Sequence, residues 1–244
     1  MSTSSNGNSE PELSPLLSRR FVYKITAVVV LLAAITAALS LSGRWFGENL
    51  ALAGHTSSLV PYDIFIGQDH LRLPANVIRF ENQRATSIAE RVDVYVTWPA
   101  LEGYSDDNRN LFNDVSRPEA LIFLQIAQST MSRDMSGRLD PIYTQVFEGA
   151  TGPGPNGLTR HAVKATSSYA GEAFFTAARE KEPPYVVRCL EPRANEASTS
   201  ADCQRDIHAG KDLVVLYRFS RNLLPQWREI DNAVGGFVKG HLVP

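Results

Sequence analysis

The sequence predicts an α+β domain, a largely antiparallel sheet with a C-terminal amphipathic helix packed on it, preceded by one N-terminal transmembrane helix. Three observations carry this expectation. Strand-like segments outnumber helical ones and come in runs, without the regular alternation of a doubly wound nucleotide-binding sheet. The last large apolar residues recur at the spacing of a helix stripe. An uncharged apolar run, Ile25 to Ser42, follows the basic cluster Arg19, Arg20 and Lys24. A β-sandwich with a trailing helix is the alternative architecture.

Residues 1–20 are rich in Ser, Asn, Glu and Pro and offer little to bury, so a disordered cytoplasmic tail is expected. Residues 21–46 read as a signal-anchor helix. A helix needs about 20 apolar residues to cross the hydrocarbon core. Phe21 and Tyr23 before the run and Trp45 and Phe46 after it supply aromatic residues for both interfaces. The Lys/Arg bias places the N-terminus in the cytoplasm and the rest in the periplasm of an inner membrane. A cleaved signal is the rival, because Ser18–Lys24 approximates a twin-arginine export pattern and Ala51-Leu52-Ala53 a cleavage site. The apolar run is longer than the usual signal core, which favours the anchor, and both readings export the same domain. Residues 47–61 are assigned to a linker and 62–244 to the periplasmic domain.

Within that domain Val92, Val94, Val96 and Trp98 alternate with Arg91, Asp93, Tyr95 and Thr97, the period of a half-buried strand over 90–98. The continuous apolar run 120–127 predicts a strand buried on both faces. Residues 212–219 and 185–190 read as strong strands. Weaker ones are expected at 63–66, 70–73, 158–165 and 172–176. Leu223, Leu224, Trp227, Ile230, Val234, Phe237 and Val238 form the helix stripe, with Asn222 as N-cap. Gly235-Gly236 is expected to kink or fray that helix. Short helices are expected near 107–115 and beyond Pro141, and the glycine-rich segment 149–157 reads as a loop.

Cys189 and Cys203 are the two cysteines, and an oxidising periplasm predicts a disulfide between them, closing a polar surface loop. Paired Cys-x-x-Cys spacing is missing, so a structural metal site with His208 is disfavoured. The five histidines show no zincin spacing. No serine sits in a nucleophile-elbow or Ser-x-x-Lys pattern, and Gly152–Gly157 lacks the Lys-Ser/Thr ending of a phosphate loop. Asp106, Asn108 and Asn110 imitate the start of a calcium loop, but Leu111 and Arg117 occupy the glycine and bidentate-acid positions, leaving a helix-capping loop. No catalytic residue, cofactor or metal is therefore assigned. The exported part is near neutral without a basic stripe, which argues against nucleic acid. Asn76, Arg79 and Arg84 remain as candidate ligand or partner contacts, because arginine offers a planar fork of donors to an anion. The tight turn is the favoured reading, with Asn76 bonding backbone and Arg79 paired to Asp69 or Glu81.

Several strings together form a recognisable set: Leu73-Pro74-Ala75-Asn76 with Ile78-Arg79-Phe80, Trp98-Pro99 with Gly103-Tyr104, Ser132-Arg133-Asp134-Met135-Ser136, and Arg188-Cys189 with Cys203 and Asp206-Ile207. With the N-terminal run they resemble an uncharacterised family of bacterial proteins called transmembrane anchored proteins. The resemblance implies the topology and no activity, ligand or site.

The expectation is a single-pass inner-membrane protein whose periplasmic domain binds another protein, as scaffold or accessory subunit of a cell-envelope complex. A periplasmic ligand-binding sensor using Asn76 and Arg79 is a second reading, lowered by the short segment before the basic cluster. An exported enzyme with an unrecognised site is the third.

Overall fold

The computed structural model describes residues 20, 23–37, 54–192 and 196–244. The chain divides into two units, Met1–Ala53 and Gly54–Pro244. In the first, residues 23–37 are helical. Most of the predicted tail, the rest of the predicted span and residues 47–53 of the predicted linker lie outside the described residues. Among the described residues no helix is long and apolar enough to cross a membrane.

The second unit is α+β. Strands β1 (Pro61–Ile66), β2 (Asp69–Pro74), β3 (Ser87–Ile88) and β12 (Leu242–Val243) form a small sheet in the order β12-β2-β1-β3. A larger, wholly antiparallel sheet runs in the order β4 (Arg91–Thr97), β5 (Leu121–Gln128), β11 (Leu213–Phe219), β10 (Cys203–Ala209), β9 (Tyr185–Leu190), β8 (Glu172–Ala177), β7 (Thr159–Val163), β6 (Phe147–Pro153). The C-terminal helix, Trp227–His241, buries Trp227, Ile230, Val234 and Val238. These side chains join the inner faces of both sheets in one apolar core with Ile64, Leu71, Val94, Leu124, Val187 and Tyr217. Alternation along the strands produces this: residues two apart share a face, so Val92, Val94 and Val96 point into the core together.

Buried polar groups fasten the layers. The Asp69 carboxylate of β2 accepts from the backbone N–H groups of Lys211 (2.9 Å) and Asp212 (2.7 Å) in the β10–β11 turn. Gly210 in that turn has φ 60°, a conformation glycine adopts without steric cost. On the helix, Asp231 accepts from Arg205 Nε of β10 (2.8 Å), from Tyr217 OH of β11 (2.6 Å) and from Arg179. Burial pushes the Asp231 carboxyl up, but Arg205, Tyr217 and Arg179 outweigh it and hold the carboxyl below its usual range.

Several sequence expectations require correction. The compact unit begins at Gly54, before residue 62: Asn76 N–H donates to Ser58 O (2.9 Å) and His55 Nδ1 meets Tyr95 OH (2.8 Å), so the end of the predicted linker is part of the domain. β5 is buried on one face only, because Phe123, Gln125 and Ala127 lie on the opposite face and are partly exposed. Much of the glycine-rich segment 149–157 is strand β6, at the sheet edge, where pairing is needed on one side only. Gly235-Gly236 neither kinks nor frays the helix, which continues to His241. Asn222 is not its N-cap: Ser220 accepts from the Asn222 N–H, a 3₁₀ turn over Arg221–Gln226 follows, and the α-helix starts at Trp227.

The Cys189–Cys203 disulfide is present and closes a loop whose described residues are mostly exposed, while the bridge itself is buried. The two residues face each other across β9 and β10 with Cα atoms 4.0 Å apart and are 1 % and 0 % exposed. Its position is telling. The β9–β10 ladder consists of Cys203 opposite Cys189 and Gln204 opposite Arg188. Beyond it, Arg205 Nη1 donates to the Val186 carbonyl (2.9 Å) and to Ser136 Oγ (3.1 Å) in place of further ladder bonds.

Candidate functional site

The outer face of the large sheet is covered at both ends: at β4, Tyr95 is 1 % exposed beneath His55 and Phe112. Over β8 and β9, the segment after β5 contributes Met135 and Tyr143 to a second small core with Phe174 and Val186. Over β5, β11 and β10 the face is open, and a cleft of about 450 Å³ lies beside that covering segment. Its floor includes Gln125, Ala127, Val214, Leu216, Asp206 and His208. Its wall is Met131, Arg133, Arg138, Tyr143 and Tyr169. A smaller depression of about 40 Å³ adjoins it, sharing Gln125 and Leu216 and adding Arg79, Asp93, Phe123 and Arg218. The two form one groove.

Strand register dictates this arrangement. Three rows cross the sheet: Tyr95, Phe123, Arg218 and Gln204; Asp93, Gln125, Leu216 and Asp206; Arg91, Ala127, Val214 and His208. Each row takes one residue per strand, and the rows sit two residues apart along each strand, so all point outward. On β5 and β11, four of these six positions are apolar (Phe123, Ala127, Val214 and Leu216), which a solvent-facing sheet does not require.

The groove's carboxylates are already engaged. Asp206 takes a short ion pair from Arg138 Nη2. Burial pushes the Asp206 carboxyl up, with Arg138 pulling down and Asp134 pushing further up, and the net shift is upward. Asp93 accepts from Gln83 Nε2 (2.9 Å) and lies 3.4 Å from Arg91. Arg188 is held by Glu172 (2.7 Å) and lies over the Tyr169 ring. Burial raises the Tyr143 hydroxyl to about 12, so it stays a neutral donor. Arg138 Nε is buried and has no hydrogen-bond partner. Arg79, Arg133 and Arg218 have no ion pair among the described residues; the Arg79 guanidinium lies 5.0 Å from the centres of the Phe80 and Phe123 rings.

Asn76, Arg79 and Arg84, singled out from the sequence, are not brought together as one site. Asn76 is buried; its Nδ2 donates to Tyr104 O (3.0 Å), while Oδ1 has no partner. A Cβ at Gly103 would meet Asn76 at 2.7 Å, which explains the glycine there. Arg84 spends its donors on backbone oxygens, Nε on Ile78 O (3.1 Å) and Nη2 on Ile78, Arg79 and Gly54. Arg79 alone reaches the groove.

Other motifs resolve into local structure. Asn108 accepts from the Ser105 N–H (2.8 Å) and donates to Gly103 O (3.0 Å), a capping loop. His161 on β7 bonds Thr176 Oγ1 (2.8 Å), whereas His208 lies on β10, so the two do not meet. Among the described residues no group of three or more His, Cys, Asp or Glu side chains could hold a metal ion. The groove itself escaped the sequence reading. Its signal was the alternation of Gln125 and Phe123 with Leu124 and Ile126, which the run of apolar residues disguised.

No protein-family model and no curated protein sequence matches this chain. Among solved structures, it is similar to Smlt3025, an immunity protein of the Stenotrophomonas maltophilia type IV secretion system. That match has 16 % identity and a TM-score of 0.52 and covers 78 % of this chain and 96 % of that one. The iron-regulated outer membrane lipoprotein FrpD of Neisseria meningitidis matches with 12 % identity and a TM-score of 0.46, covering 77 % and 94 %. At these identities the first likeness speaks to fold.

Proposed function

We propose that this chain is a protein-binding module of the bacterial cell envelope, anchored in the inner membrane by residues 21–46 with its C-terminal domain in the periplasm. The observation that carries the reading is the open groove on the large sheet. It combines arginine, methionine and aromatic side chains, the types enriched where proteins meet, on a scaffold whose opposite face is a packed core. The buried disulfide is consistent with an oxidising compartment, and the Lys/Arg bias around the apolar run gives the orientation. The fold is shared with a protein described as an immunity protein, a role that fits binding rather than turnover.

The test joins location and partnership. A periplasm-active reporter fused after Pro244 is expected to be active, with the protein retained in the membrane pellet through carbonate washing. Crosslinking in intact cells is expected to capture the chain in a discrete complex with another envelope protein. A shortened soluble form would replace the anchor by a cleaved signal. A chain that forms no crosslinked complex would remove the binding role.

A further inference from the structure

We infer that the occupant of the groove is an acidic, partly apolar segment of a partner protein. This deepens the protein-binding reading and rests on it. The argument is one of complementarity. The chain as a whole is slightly acidic, with a formal net charge of −2, yet the groove is rimmed by cations. Its own acids, Asp206 and Asp93, are engaged by Arg138 and by Gln83 and Arg91. That leaves the guanidinium groups of Arg79, Arg133 and Arg218 without an anionic partner among the described residues, and Arg138 Nε buried and unpaired.

Three unpaired guanidinium groups around one groove repel each other and gain from carboxylates, which match the planar fork of arginine. Between them the floor carries Phe123, Leu216, Val214 and Ala127 beside the polar Gln125, Asp206 and His208, so a ligand of charge alone would leave that apolar surface wet. A segment carrying both Asp or Glu and apolar side chains satisfies both demands. The width suits it: the floor spans β5, β11 and β10, two strand spacings or about 10 Å, which accommodates an extended chain or one helix.

The test uses the full chain in detergent micelles and fluorescein-labelled peptides sharing one set of Leu and Phe positions. The remaining positions carry Glu and Asp, or Lys, or Ser and Gln. Anisotropy should show the acidic peptide binding at least about tenfold more tightly than either counterpart, with affinity falling as salt rises. Each Arg→Gln change at Arg79, Arg133 or Arg218 is expected to weaken it about tenfold, the usual worth of a charge-assisted hydrogen bond. The combined R79E/R133E/R218E chain should lose it, while Arg72→Glu on the small sheet should not. Circular dichroism melting of each variant checks folding. An acidic peptide that binds no better than the Ser/Gln peptide, or binds the folded triple variant equally well, would overturn the inference. So would self-crosslinking through the groove, which would make a second copy the occupant. If the triple variant still captures its partner in cells, the acidic-segment inference falls while the protein-binding reading stands. If the parent chain captures nothing, both fall.

Discussion

Replacing Asp231 by alanine tests whether the charged cluster under the C-terminal helix holds the fold together. Asp231 is 7 % exposed and receives three donors, from Arg205, Tyr217 and Arg179. Arg205 is 3 % exposed, so deleting the carboxylate strands a buried guanidinium that cannot reach water. Breaking a buried pair from one side costs about 3–5 kcal/mol, most of it the uncompensated charge. Arg179 loses less, because Glu182 lies 3.3 Å away as an alternative partner. With a urea m-value of about 2–3 kcal/mol/M, the midpoint of chemical unfolding should fall by roughly 1–2 M. The double variant Arg205→Met, Asp231→Leu removes both charges and should recover most of the loss, since an apolar pair of similar volume is often neutral or stabilising. The assay is urea unfolding of the full chain in micelles, followed by tryptophan fluorescence and far-ultraviolet circular dichroism. A loss below about 1 kcal/mol in Asp231→Ala, or a double variant no better than the single, would refute the reasoning.

Trp227 is 1 % exposed, lies 4.5 Å from the Tyr185 ring and donates from Nε1 to Asn156 O at 3.1 Å. Trp227→Ala should therefore cost about 3–5 kcal/mol in the same unfolding assay, and an unchanged midpoint would place the helix off the sheet. The disulfide joins residues 14 apart, and Cys203→Ser should lower stability by about 3 kcal/mol by the chain-entropy account, with mass analysis without reductant showing the bridge in the parent chain. His55 and His161 are both held below the usual histidine range, by burial in each case and by Arg84 as well at His55. A histidine lowered in the folded state binds its proton more readily unfolded, so this stability is complete above the unfolded value of about 6.5 and declines as pH falls through it. His55→Phe and His161→Phe should flatten melting temperature between pH 7 and 5, whereas a slope equal to the parent's would assign it elsewhere.

The core half of the fold was legible because its pattern is simple. Val92, Val94 and Val96 alternate cleanly, and the stripe from Trp227 to Val238 matches the α-helix, although Leu223 and Leu224 fall on the 3₁₀ turn before it. β10 was not legible. Its polar residues Gln204, Arg205, Asp206 and His208 hide a strand that buries Arg205 against Asp231 on one side and presents Asp206 and His208 to the groove on the other. β6 was masked by glycine and proline, which an edge strand tolerates. The disulfide partners were legible from compartment and count, but their burial was not, because it depends on Cys189 and Cys203 being directly opposed in register. The groove depends wholly on register: Arg79, Arg133 and Arg218 are far apart in sequence and meet only once β5, β11 and the segments flanking them are paired.

The most direct test of the account puts a photo-crosslinking amino acid at Leu216, in the centre of the groove, and separately at Ile88, which is 89 % exposed on the small sheet. Irradiation of intact cells should yield a discrete adduct with another envelope protein from position 216, lost in the R79E/R133E/R218E background, and none from position 88. Adducts from position 88 but not from 216, or adducts from 216 that survive the charge reversal unchanged, would contradict the claim that this groove is where the protein binds its partner.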